Sequence, residues 1–198
     1  TVLWSFFSEC TSQGIQAIVA RGDLLRKISF PKWIIVVSAT VTALINFLIN
    51  LGVVIIFALI NGVTPNFGWL LVPFIVLELY LLSLGISFFL GAINVKYRDI
   101  SSIWEVLMQA LFYAVPVIYP ITMVADASPF AAKIFLLNPI AQVIQDVRYF
   151  LITDQTITTW NYLPEHLLHF VPLFIVIIII TLGGLYFRKR SKYFAEEA

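Results

Sequence analysis

Charge is scarce in this sequence. Of its 198 residues only 12% are Asp, Glu, Lys or Arg, while 61% are hydrophobic; a soluble domain carries about a quarter charged residues. That scarcity, with a mean hydropathy of +0.96, excludes a soluble globular chain and identifies an integral membrane protein. Nucleic acid is not an expected ligand, and the net charge of +1 is less informative than where the positive residues sit. Cysteine is nearly absent. Cys10 alone can form neither an internal disulfide nor a Cys-rich metal site, so no metal is expected, and Cys10 reads as a small residue facing lipid or another helix. No lysine is followed by Ser or Thr, so the chain lacks a Walker A lysine and does not hydrolyse ATP by itself. The opening stretch has no basic region, short apolar core and cleavage site, and does not read as a signal peptide.

What is present is long apolar runs. A bilayer core about 30 Å thick needs roughly 20 apolar residues in helix. "WIIVVSATVTALINFLINLGVVIIFALI" (33–60), "WLLVPFIVLELYLLSLGISFFLGAINV" (69–95) and "HLLHFVPLFIVIIIITLGGLYF" (166–187) meet that length. "TVLWSFFSECTSQGIQAIVA" (1–20) approaches it and is the least apolar. The runs at 33–60 and 69–95, joined by "NGVTPNFG", read as a helical hairpin, and Pro172 predicts a kink near the start of the last span. Basic residues gather in "RGDLLRKISFPK", "NVKYRD" and "RKRSK". Placing all three in the cytoplasm satisfies the positive-inside bias, which sets Thr1 and the 61–68 connection outside. An outside amino terminus leads to the expectation of a further helix upstream.

Between "NVKYRD" and the last span the apolar stretches are short. Ser102 and Glu105 fit an S-x-x-E capping box for a helix starting near the cytoplasmic surface. From Ile103 to Val115 that helix rises about 20 Å before Pro116 and then Pro120 interrupt it. "PFAAKIFLL" and "IAQVIQDVRYFLI", separated by Asn138-Pro139, suit re-entrant or interfacial helices. Non-helical backbone at membrane depth is tolerated only where protein buries it or a water-filled cavity wets it, so the prolines read either as a pathway or as a packing kink.

Chemistry-bearing residues are few. Glu78, nine residues beyond Trp69 and about 14 Å deep, is a functional candidate because an ionisable group there must face a bundle interior or water; the alternative is a protonated Glu bonded to a neighbouring helix. Glu9 admits the same two readings. Glu105 is accounted for by its cap, Glu165, His166 and His169 by a polar helix start, and Asp146 and Arg148 as exposed charges. An integral membrane enzyme, or a carrier using Glu78, Asp146 or the histidines, stands as the rival reading; no internal repeat of the kind carriers show is evident. Trp33, Trp69, Trp104 and Trp160 fall where spans meet water. Phe6, Phe7, Phe112, Tyr113 and Tyr119 do not need that explanation, and their rings suit either packing or the C–H faces of sugars.

"DLLRKISFP" (23–31), "AINVKYRD" (92–99), "PVIYP" (116–120), "LNPI" (137–140) and "YFRKRSKYFAEE" (186–197) together resemble, in order and spacing, the permease subunits of type-2 ABC exporters, closest to the class that exports O-antigen, capsule and teichoic-acid-like polysaccharides. Val115 departs from the small hydroxyl residue that pattern carries. The resemblance implies an all-α membrane bundle with about five spans here and six in a full chain, plus short external re-entrant helices, in the bacterial cytoplasmic membrane. It implies one permease domain over 1–198, with a coupling segment at 21–32, an external re-entrant region at 116–152 and a cytoplasmic tail at 188–198. The permease would be non-catalytic, without cofactor of its own. It would form a homodimer with a separate ATP-binding cassette subunit holding ATP and Mg, and move a polysaccharide or lipid-linked glycan; a drug or lipid is the alternative cargo. Asp23, Leu24, Leu25, Arg26, Lys27, Ile28, Phe30 and Pro31 would seat on the ATP-binding subunit. Lys96, Arg98 and Asp99 would mark the cytoplasmic entrance. Phe6, Phe7, Phe112, Tyr113, Pro116, Tyr119 and Pro120 would line the translocation path, with Glu78 as an intramembrane polar residue.

Overall fold

The computed structural model describes residues 1–22 and 30–194. Asp23, Leu24, Leu25, Arg26, Lys27 and Ile28 of the expected coupling segment lie outside the described residues. Every regular element among those described is helical. Among the described residues three helices are long and apolar enough to cross a membrane: Trp33–Ile60, Phe67–Asn94 and His166–Arg190.

α1 (Val2–Ala20) is the hub. It packs against both α2 (Trp33–Ile60) and α3 (Val72–Asn94) more extensively than those two pack on each other, so the expected hairpin is wedged by α1. α2 offers α1 the stripe Val36, Thr40, Ala43 and Phe47, spaced at four, three and four residues as one helix face requires. Ile45, Ile49, Ile56 and Ile60 on its other side stay exposed. α2 ends in a Schellman motif: Gly62, at φ +84, lets Gly62 N–H donate to the Leu59 carbonyl and Val63 N–H to the Ala58 carbonyl, both at 3.1 Å.

Small residues set how closely α3 is approached. In lipid there is little hydrophobic force between helices, and association rests on close packing. A Cβ on Gly91 would lie 3.2 Å from the Gly14 carbonyl of α1, and one on Gly14 would lie 2.3 Å from Ser87 Oγ. On another face, α9 (Val171–Arg190) crosses so tightly that a Cβ on Gly183 would stand 2.2 Å from the Gly85 carbonyl. Ser83 and Ser87 return their hydroxyls to the Leu79 and Ser83 carbonyls at 2.8 and 2.7 Å, so neither hydroxyl is left without an acceptor.

α3 and α9 begin alike. A 3₁₀ turn (Phe67–Leu71, His166–Phe170) leads into Val-Pro, with Pro73 and Pro172 in the first helical turn. Pro172 therefore starts a helix instead of kinking one, because its missing N–H falls among amides that have no intrahelical partner anyway.

α4 (Ile100–Ala114) also differs from expectation at its start. Asp99 is its N-cap and makes no side-chain cap bond, so Ser102 lies inside the helix and the Ser102–Glu105 box does not form. The Asn94 side chain serves instead, its Oδ1 accepting from Ser101 N–H at 3.2 Å while its Nδ2 donates to the Ile15 carbonyl, also at 3.2 Å. α4 stops at Ala114, with Val115 extended at φ −91 and ψ 143 as the residue before proline prefers. The chain then forms α5 (Ile121–Ala127), α6 (Pro129–Leu137) and α7 (Pro139–Leu151). Ser128 caps α6, and Asn138 caps α7 with its Oδ1 2.9 Å from Ile140 N, each with proline at the first helical position. A single turn, α8 (Thr159–Tyr162), precedes the last 3₁₀ turn.

Candidate functional site

α1 carries its polarity on one stripe. Ser5, Ser8, Glu9, Ser12, Gln13 and Gln16 are exposed or half-buried, whereas Phe6, Phe7, Cys10, Ile15 and Ile18 are buried. A helix whose outer face met lipid would show the reverse, since polar groups in hydrocarbon lack partners. The stripe therefore faces protein or water. Phe6 and Phe7, expected along a path, are instead turned into the core, where Phe6 packs on Phe47 at 4.6 Å and Phe7 on Trp4 at 6.0 Å. The helical period that brings the serines outward takes these two rings inward.

α4 meets α1 through Trp104, whose indole N–H donates to Thr11 Oγ1 at 2.9 Å, and through Trp4 stacked near Phe112 at 5.8 Å. Between the two helices runs a groove of about 610 Å³ lined by Trp4, Ser8, Ser12, Glu105, Met108, Gln109, Phe112 and Tyr113. Phe112 and Tyr113, two of the expected path residues, thus share one wall, with Tyr113 72% exposed. Glu105 faces this groove instead of a cap. Beside it Glu9 Oε1 accepts from Gln13 Nε2 at 2.9 Å and Asn46 Nδ2 at 2.8 Å, extending the polar surface to α2. Ser5, Ser8, Ser12, Gln13, Gln16 and Gln109 were not among the expected site residues; the spacing S-x-x-S-x-x-x-S-x-x-x-Q in "SFFSECTSQGIQ" is the signal that marks most of them.

The break at Pro116 frees carbonyls, and several of them find partners. Tyr119 OH reaches the Tyr113 and Ala114 carbonyls at 3.3 and 3.4 Å, so its hydroxyl closes the end of α4. Val117 N–H donates to the Val115 carbonyl at 2.7 Å. Gln145 Nε2 donates to the Pro116 carbonyl at 3.3 Å, and Arg148 donates to the Val117 carbonyl. Asp146 and Arg148 are consequently not exposed charges. α7 is buried along nearly its whole length, Asp146 is 3% exposed, and its Oδ2 accepts from Gln142 Nε2. Burial pushes the Asp146 carboxyl up to about 6, against the bond from Gln142. Pro116 is buried beneath α7, and Pro120 is exposed as the N-cap of α5.

The other expected site residues sit apart. Lys96, Arg98 and Asp99 are exposed in the turn between α3 and α4. Phe30 and Pro31 precede α2 at the same end of the bundle, where Lys32 Nζ donates to the Ser191 carbonyl and lies 5.7 Å from the centre of the Phe194 ring. Glu78 lines a separate cavity with Asp146 and His169; Glu165 occupies the N-cap position of the last 3₁₀ turn without a side-chain cap bond and is not in that lining. No cluster of three His, Cys, Asp or Glu able to hold a metal occurs among the described residues.

Residues 1–152 match the family described as ABC-2 type transporter. The O-antigen export system permease protein RfbA of Myxococcus xanthus is 33% identical over 141 residues, which cover 71% of this chain and 54% of that protein. Two proteins of the same name from Klebsiella pneumoniae are each 25% identical over 195 residues, covering 98% of this chain and 71% of theirs.

Proposed function

Because the chain belongs to the ABC-2 type transporter family, we propose that it is the non-catalytic membrane-spanning subunit of an ATP-driven exporter whose cargo is a cell-surface polysaccharide. The observation that carries this reading is the outward polar stripe of α1 facing a groove with aromatic walls. Such a surface needs water or a polar polymer beside it. Serine hydroxyls, Gln109 and Glu105 exchange hydrogen bonds with sugar hydroxyls, and the faces of Phe112 and Tyr113 accept sugar C–H surfaces. No phosphate-cradling loop or catalytic constellation is needed, since the work comes from a separate ATP-binding cassette subunit that carries ATP and Mg.

The groove is open on one side. A second copy placed against it completes a passage between protomers, in the cytoplasmic membrane, with "NVKYRD" receiving the anionic end of a lipid-linked glycan. The 21–32 segment seats on the ATP-binding subunit, so that closure of that subunit rocks the protomers as rigid bodies. Pro116, Tyr119 and Pro120 hold the turn at the outer end of the passage. Phe6 and Phe7 act on the passage only from behind, by fixing α1.

The test is export itself. In a strain lacking the gene, surface glycan is lost and returns with the wild-type chain, which co-purifies with an ATP-binding subunit. Ser8→Leu with Ser12→Leu keeps that subunit bound and loses the surface glycan. Normal surface glycan in the deletion strain, or in the double variant, overturns the proposal.

A further inference from the structure

A second cavity, of about 450 Å³, lies between α3, α7 and the last 3₁₀ turn, on a different face of α7 from the one that meets the Pro116 turn. Its polar lining is Glu78, Gln142, Asp146 and His169, and no Lys or Arg lines it. Three of these side chains are buried by nine-tenths or more, with exposures of 8% for Gln142, 3% for Asp146 and 9% for His169. Each holds an atom with no partner: Gln142 Oε1, Asp146 Oδ1 and His169 Nδ1.

The unpartnered atoms share one character. His169 Nε2 sits 3.0 Å from the Leu163 carbonyl, which only accepts, so Nε2 bears the proton and Nδ1 offers a lone pair. Gln142 turns its amide nitrogen to Asp146, and its oxygen is left without a donor. All three vacant positions, and the Glu78 carboxylate, are therefore acceptors. Two carboxylates without a basic partner disfavour an anion and favour a cation with several N–H donors. A chelated metal is not indicated, because no three-ligand cluster exists among the described residues. The remaining walls include Phe74, Phe150, Trp160 and Phe170, aromatic side chains of the type that attract an ammonium. Phe74, Trp160 and Phe170 are also exposed, so the cavity opens through an apolar rim on the lipid side of α3 and α9.

We propose that this cavity binds a protonated primary amine, its N–H groups taken by Glu78, Gln142, Asp146 and His169 between aromatic walls. The amine comes from an aminophospholipid head group or from a free small amine, and the site functions whatever the cargo of the groove.

The experiment uses the full chain with its ATP-binding subunit in nanodiscs. In phosphatidylglycerol discs containing phosphatidylethanolamine, mass spectrometry of lipids retained after delipidation shows phosphatidylethanolamine enriched about tenfold over phosphatidylglycerol. Glu78→Gln with Asp146→Asn, which keeps the bond from Gln142, brings that ratio to one. Trp160→Leu, at the exposed rim, lowers it several-fold and still co-purifies with the ATP-binding subunit, so it reports even if the buried pair fails to fold. In pure phosphatidylglycerol discs, ethanolamine chloride raises the unfolding temperature of the wild type alone if a free amine occupies the site; enrichment without that rise assigns the lipid. Absence of both effects, or an enrichment that the variants leave intact, overturns the proposal.

Discussion

At Gln145 a fully buried amide answers the Pro116 carbonyl at 3.3 Å, where no water competes. Gln145→Leu keeps the volume and leaves that carbonyl unpaired, a loss of about 1–3 kcal/mol. A lowered unfolding temperature of the detergent-solubilised complex is the expected result, with α1 and α2 unaffected in their helical signal. Glycines give a sharper comparison. Gly183→Ala forces a Cβ to 2.2 Å from the Gly85 carbonyl, backbone that cannot swing aside, whereas Gly184→Ala meets nothing within 4 Å. The first is expected to cost about 1–3 kcal/mol through overpacking, and the second to be neutral or slightly stabilising because alanine is the better helix former. Equal unfolding temperatures for the two variants would contradict the close α3–α9 crossing.

Among the elements, α1 ties sequence to site most directly. Single cysteines at Ser5, Ser8, Ser12 or Gln16 are expected to react with a membrane-impermeant, hydrophilic maleimide in the assembled exporter, and cysteines at Phe6 or Phe7 are not. The native Cys10 is buried, so the wild-type background is silent, and labelling at Phe6 or Phe7 as strong as at Ser8 would remove the basis for a polar passage along α1. Much of this was legible in the residues: the long apolar runs, the stop of α4 before Pro116 and the Asn138-Pro139 start of α7 follow from local rules. What stayed hidden depends on partners far along the chain. Gln145 and Arg148 look like a solvent face of α7 until the carbonyls freed 29 and 31 residues earlier, respectively, are known to need donors. Asn94 displaced the Ser102–Glu105 cap in the same way, from another helix. Phe6 and Phe7 turn inward because the helical period that carries the neighbouring serines outward carries these rings into the core.

For the whole molecule, the distribution of Lys and Arg gives an expected orientation that labelling can check. A cysteine at Gly62 is expected to react from outside intact cells, and one at Tyr97 or Lys192 only after the membrane is opened; reaction of Tyr97→Cys in intact cells would invert the bundle. At the Tyr97 and Lys192 end, Lys32 and Phe194 fasten the start of α2 to the segment after α9. The backbone crossing of Gly85 and Gly183 lies about 12 Å along α9 from that fastening and about 18 Å from the other end of the helix at Val171. α9 is then a lever with the glycines as its fulcrum and a longer arm on the far side. Under the proposed coupling, a tilt delivered through residues 21–32 would arrive at His169 enlarged by about half, carried by a joint that has no side chains to bend.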